Sequence, residues 1–146
     1  MSRRRVAITG LGLVSPFGDS LADFFQRILS GESAVRLLRL DELPRALAIP
    51  FVACPGFQAS AVLGKALAGT MDRFAQLGTA AAFAAWDDAG LDRRQNAESR
   101  ERWGVSWGTA LGGTLAYEKG YKELWQKGRE RISPLSVILG MNNAAN

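Results

Sequence analysis

Histidine is absent from the 146 residues, and cysteine occurs once, at Cys54. Without an imidazole, no Ser/His/Asp triad, Cys/His dyad or histidine general base can be assembled within the chain, and no metal site is expected. A single thiol also excludes an internal disulfide, and with it the small disulfide-stapled secreted domain. Long apolar runs are lacking as well: nothing approaches the ~18 uninterrupted apolar residues of a membrane span. Charge of one sign is scarce in any one region. The net +4 divides into +3 over residues 1 to 18, −3 over residues 19 to 92 and +4 over residues 93 to 146. Basic groups are therefore interleaved with acids, no Lys/Arg stripe with spaced aromatics emerges, and a nucleic-acid partner is not expected. Arg3 to Arg5 ahead of Val6 to Val14 imitate the charged and apolar parts of an export signal. No small-x-small cleavage pattern follows at Ser15-Pro16-Phe17-Gly18, so a buried strand and a cytoplasmic location are the expectation.

What is present is ordinary globular composition, 47% hydrophobic and 22% charged, at a length that fits one domain. Val6 to Gly12 is apolar without alternation, the pattern of a strand covered on both faces of a parallel sheet. Asp19 or Ser20 can cap a following helix that places Leu21, Phe24, Phe25, Ile28 and Leu29 on one face and stops at Gly31. Pro44, Pro50 and Pro55 break residues 32 to 69 into an irregular excursion, with strand character at Ile49 to Cys54 and a short helix near Ala59 to Leu67. A cap at Thr70 opens the strongest helix, ending at Asp88-Ala89-Gly90, with a thin side made by Gly78, Ala80, Ala81, Ala82 and Ala85. Arg93 to Arg102 reads as a charged loop, and Trp103 to Thr109 as a second buried strand. Thr114 caps a helix through Trp125 with Glu118 and Lys122 paired at i,i+4, and Ser133-Pro134 starts a last apolar helix. Residues 1 to 146 contain no later element to cover that helix, which is therefore expected to need a partner. The order of strands and helices predicts an α/β sheet with helices on its faces. Two or three strands are few for such a sheet, which predicts an incomplete unit or an obligate oligomer.

Two glycine-rich segments invite nucleotide readings. Gly10-Leu11-Gly12-Leu13-Val14-Ser15 follows a strand, as a dinucleotide-binding turn would. Its third position is serine, Pro16 and Gly18 interrupt the helix that should begin there, and no acidic residue ends a second strand about 20 residues on. Gly108-Thr109-Ala110-Leu111-Gly112-Gly113 lacks the Lys-Ser/Thr ending of a phosphate loop, leaving a packing turn or a close approach to substrate. Cys54, in Ala53-Cys54-Pro55-Gly56, has no base to activate it and reads as a structural thiol. Asp87-Asp88 and Glu98/Glu101 read as solvated helix-end and loop charges.

Five blocks in order do carry a resemblance. Arg4 to Gly18, Met71-Asp72-Arg73-Phe74-Ala75-Gln76-Leu77-Gly78, Ala85-Trp86-Asp87-Asp88-Ala89-Gly90-Leu91, Gly108 to Gly113 and Arg131-Ile132-Ser133-Pro134 resemble the β-ketoacyl-[acyl-carrier-protein] synthases, condensing enzymes of the thiolase-like fold. The resemblance implies the N-terminal half of a layered α/β/α thiolase-like fold, with residues 1 to 146 a synthase N-terminal domain truncated before the nucleophile cysteine. It implies a decarboxylative Claisen condensation in fatty-acid or polyketide biosynthesis, in which a cysteine thiolate takes an acyl group from a carrier protein and two histidines stabilise the thioester enolate. Those three residues lie further along the family's chains, so the lone chain is expected to be inactive, with no catalytic residue and no cofactor of its own.

By the same resemblance, Leu111 matches the position that gates the acyl pocket, and Ser136 matches one that lines the neighbouring subunit's pocket across a dimer. An acyl carrier protein and a homo- or heterodimeric synthase are the implied partners. Where related enzymes place Lys and Arg before the Met-Asp motif, this chain has Ala66-Leu67-Ala68-Gly69-Thr70, with only Lys65 and Arg73 flanking; that departure counts against carrier docking at this patch. The other readings carried forward are a non-catalytic partner or scaffold subunit of a synthase and a nucleotide-binding oxidoreductase domain.

Overall fold

The computed structural model describes residues 5–40, 45–92, 101 and 103–144. Helix α4, Arg73–Asp88, is the spine on which the chain is arranged. Ala75, Gly78 and Ala80 are buried along it. Small residues bring other backbone close, as the sequence pattern requires. A Cβ at Gly10 would collide with Ala85 and lie 2.7 Å from the Ala89 nitrogen, and one at Gly12 would collide with Ala81 and Ala85. The Leu11 amide donates to Asp88 Oδ2 at 2.8 Å. On the same helix the indole of Trp107 fills the space where a Cβ of Gly78 would sit, and Trp103 lies 5.0 Å from Trp86, ring centroid to ring centroid. Residues 10 to 12 thus pass from Ala89 toward Ala81, and residues 103 to 107 from Trp86 toward Gly78. Both segments run antiparallel to α4 and therefore parallel to one another.

Neither segment is a strand in the structure, which corrects the two buried strands expected at Val6 to Gly12 and Trp103 to Thr109. The apolar pattern asked for cover on two faces, and α4 supplies one. Val6 is 93% exposed, Ile8 82% and Val105 69%, and neither segment pairs into a ladder with other described residues. The strands that do form are a hairpin: β1, Arg36–Leu40, pairs antiparallel with β2, Leu47–Phe51, in the register Leu38 to Ile49. Of the connection between them, residues 41–44 lie outside the described residues.

Local signals account for most helix ends. Helix α1, Leu21–Leu29, is capped by the Ser20 hydroxyl, which accepts from the Asp23 amide at 3.2 Å. It ends at Gly31, whose positive φ of 73° lets Gly31 donate to Ile28 and Glu32 donate to Arg27. The helix expected at Ala59 to Leu67 is two short ones, α2 Ala59–Leu63 and α3 Lys65–Gly69, broken where Gly64 takes φ 80°. Thr70 closes α3, its hydroxyl donating to the Leu67 carbonyl at 2.8 Å. The cap of α4 is Asp72 instead. Helix α5, Thr114–Tyr121, continues into a π-helical turn, Lys122–Gln126, and Glu118 pairs with Lys122 at 2.6 Å. Helix α6 spans Leu135–Gly140, its start set by Ser133 and Pro134. The charged loop expected at Arg93 to Arg102 lies outside the described residues except for exposed Glu101.

Burial is shallow. The apolar residues that are buried among those described are Ala59, Ala68, Ala75 and Ala80, and no large side chain is fully enclosed. The accessible surface is 11,961 Å², whereas a compact protein of 15.8 kDa exposes about 7,300 Å². Among the described residues no helix is long and apolar enough to cross a membrane.

Candidate acyl-pocket wall and its flanking cleft

The turn from Thr109 to Gly113 is built by three constraints. The Gly112 amide donates to Thr109 Oγ1 at 3.3 Å, and Gly112 adopts φ 64°, a value only glycine takes without strain. The Gly113 amide donates to the Gly140 carbonyl at the end of α6, at 3.4 Å. A Cβ at Gly112 would collide with Asn142, and one at Gly113 would lie 2.8 Å from Asp72 Oδ2. Leu111, between these fixed points, projects with 72% exposure. Glycine at 112 and 113 thus reflects close packing of a turn onto α6 and α4.

Ser136 is buried, and its hydroxyl donates to the Ser133 carbonyl at 2.6 Å. It lines a cleft of about 550 Å³ between α5 and α6. Leu111 is not among that cleft's lining residues. The two positions therefore sit on adjoining segments, the turn and the helix it packs against, without meeting in one cavity. The close contact of α5 and α6 again depends on a missing side chain, since a Cβ at Gly140 would enter the Tyr117 ring.

The rim of the cleft carries Lys119, Arg129 and Arg131 with one acid, Glu123. Lys127 Nζ lies 2.6 Å from Glu123 Oε1, and Arg129 Nε lies 2.7 Å from Oε2. The Lys127 hydrogen bond, helped by the charges of Arg129 and Lys119, holds the Glu123 carboxyl below the usual glutamate range against the opposing effect of desolvation. This cationic rim is the feature that the residue-by-residue reading passed over. Its signal was the excess of basic groups after residue 93, which only the fold gathers on one edge.

The remaining chemistry-bearing residues are otherwise engaged. Arg73 turns inward: it donates to the Cys54 carbonyl at 2.9 Å and to the Phe57 carbonyl at 3.2 Å, and its guanidinium lies 4.8 Å over the Phe57 ring. It therefore adds nothing to an external basic patch before Met71. Half-buried Cys54 begins a turn closed by the Phe57 amide at 3.3 Å, and no helix starts at it. The dinucleotide lookalike is also accounted for. Gly10 and Gly12 lie against α4, and the chain after them closes into the Ser15 to Gly18 turn, with Ser15 donating to the Gly18 carbonyl at 2.9 Å and α1 starting only at Leu21. No group of three or more potential metal ligands converges among the described residues.

Comparison with known proteins agrees with this geometry. The model of the β-ketoacyl synthase N-terminal domain matches residues 3–146. The 3-oxoacyl-[acyl-carrier-protein] synthase 2 of Coxiella burnetii is 35% identical over 149 aligned residues, covering 100% of this chain and 35% of the relative. That of Vibrio cholerae is 33% identical over 137, covering 94% and 33%. Among solved structures, a β-ketoacyl synthase from Burkholderia phymatum superposes with a TM-score of 0.70 at 23% identity, over 98% of this chain and 35% of that one. The ishigamide ketosynthase/chain length factor gives 0.64 at 24%, over 93% and 34%. The chain thus spans about a third of the length of the relatives it matches, and its fold is the N-terminal part of their thiolase-like α/β architecture. From the glycine contacts on α4 to the packed Gly112-Gly113 turn, the sequence and its fold place this chain in the β-ketoacyl synthase N-terminal domain family.

Proposed function

We propose that the chain forms the N-terminal portion of a decarboxylating condensing enzyme that acts on carrier-bound acyl thioesters in fatty-acid or polyketide synthesis, in the cytoplasm. Its contribution is Leu111 as gate of the acyl pocket and Ser136, on the helix behind it, as part of the lining of the neighbouring subunit's pocket across a dimer. The observation that carries this reading is the seating of the Thr109 to Gly113 turn on α6 through the Gly113 to Gly140 hydrogen bond. That contact seats the turn carrying Leu111 against the helix carrying Ser136.

Condensation needs a thiolate to hold the acyl group and donors to stabilise the enolate formed as carbon dioxide leaves. Residues 1–146 contain no histidine, and Cys54 sits in a turn rather than at a helix N-terminus that would favour its thiolate. The reacting groups therefore belong to polypeptide outside these residues. Half-exposed Val137, Ile138 and Met141 on and beside α6 support a dimer of synthase subunits in which this face is covered. The rim of Lys119, Arg129 and Arg131 supports docking of an acidic carrier protein there, in place of the patch before Met71.

The test is a hybrid in which residues 1–146 replace the matching third of the Vibrio cholerae synthase. The hybrid is expected to elongate carrier-bound acyl thioesters, and Leu111→Ala is expected to shift its preference toward other acyl lengths. A folded hybrid that takes up the acyl group but never elongates, or whose preference ignores Leu111→Ala, would sink the proposal. The isolated chain is expected to give no condensation product, and Cys54→Ala to change nothing.

A further inference from the structure

Asp72 is 8% exposed, and its two carboxylate oxygens serve two different helices. Oδ1 accepts from the Arg73 amide at the start of α4, and Oδ2 accepts from the Ala116 amide in the first turn of α5, at 2.9 Å. The same Oδ2 lies 2.8 Å from where a Cβ of Gly113 would be. Both amides belong to helix N-termini, whose dipoles favour a negative charge, and the Ala116 amide is shared between Asp72 and the Gly113 carbonyl, at 3.1 Å from the latter. A serine or threonine could cap α4 with its single oxygen, but a side chain that short does not span to a second helix. A carboxylate has two acceptors and no donor, so it joins them.

The consequence reaches Leu111. Gly113 is held on one side by the Gly140 carbonyl and pressed on the other against Asp72, and Gly112 is tied to Thr109. We infer that Asp72 is a positioning residue that locks the Leu111 turn and the start of α5 onto α4, and thereby fixes where Leu111 stands in the acyl pocket. The pocket role of Leu111 rests on the reading proposed above; the lock itself does not.

Amide hydrogen exchange on the 146-residue chain tests the lock. Asp72→Ser keeps an α4 cap and removes the reach to α5. It is expected to speed exchange at Gly113 and Ala116 by about tenfold or more, the loss of one charge-assisted hydrogen bond, with α4 amides keeping their rates. Gln76→Ala, which removes a side chain donating to Ala68 and Met71 and so loosens α3 from α4, is expected to leave Gly113 and Ala116 unchanged. Asp72→Asn, with one acceptor oxygen left, serves if the serine variant does not fold. Unaltered exchange at Ala116, or a uniform acceleration through α4 and α5, overturns the lock. In a hybrid enzyme that elongates, Asp72→Ser is expected to broaden the acyl-length preference as Leu111→Ala does, and an unchanged preference overturns the specificity role. A hybrid that never elongates would count against the synthase reading and leave the exchange result standing.

Discussion

A methyl group added at Gly12 has nowhere to go. It would collide with the Ala81 carbonyl and the Ala85 amide, and both belong to the backbone of α4 and cannot swing aside. Gly12→Ala is therefore expected to destabilise the chain by at least ~2 kcal/mol, the range of overpacking that requires backbone movement. Gly56, which has open space around its Cα, is the control: Gly56→Ala is expected to stay within about 0.5 kcal/mol. Urea unfolding followed by circular dichroism compares the two, and equal midpoints would refute the argument. The same pair shows what the residues disclosed. Both glycines near the N-terminus were visible as special, and their order after an apolar run suggested a phosphate turn. The true neighbours of Gly10 and Gly12 are 69 to 79 positions away in sequence, so no local pattern could identify them.

At the level of the element, capping was legible where it was local and misread where it was shared. Ser20 and Gly31 bound α1 because each completes hydrogen bonds within three to five residues. Thr70 looked like the start of α4 because threonine caps helices, yet its hydroxyl finishes α3, and Asp72 holds α4 together with α5. Choosing between them needed the position of α5.

The π-helical turn Lys122–Gln126 offers a second test. Its Glu123 carboxyl has a lowered pKa in the folded chain, first because of the Lys127 hydrogen bond. The ionised form is thus favoured by folding, so this contribution is present above the ordinary glutamate range and is lost as pH falls through the folded value. Amide protection in residues 122–126, taken against the intrinsic exchange rate at each pH, is expected to fall in acid, and Glu123→Gln to remove that dependence. An acid response identical in both proteins would rule the carboxylate out as its source.

Across the whole molecule, the surface of 11,961 Å² against about 7,300 Å² for a compact chain of this mass is the dominant physical fact. Among the described residues the buried apolar ones are four alanines, which leaves a narrow margin over the conformational entropy of ordering the chain. The isolated chain is expected to bind an apolar dye strongly, to unfold in urea over a broad and shallow transition, and to associate with itself on gel filtration. A sharp cooperative transition from a dye-free monomer would show that the exposed faces matter less than their area implies. The segments expected as strands are extended pieces lying on α4, with no strand partner among the described residues.

The sequence by itself determined the absence of histidine, the family blocks, the approximate places of the longer helices and the caps of α1, because each depends on residue identity or on contacts within a few positions. It also determined that Val6 to Gly12 and Trp103 to Thr109 are apolar enough to need cover. Only the tertiary structure decided what those segments meet, which oxygen caps which helix, that Arg73 turns inward and that late cations gather on one cleft. Each of these is a contact between residues far apart in the chain, and the free energy of such a contact depends on a neighbour that composition and spacing do not name.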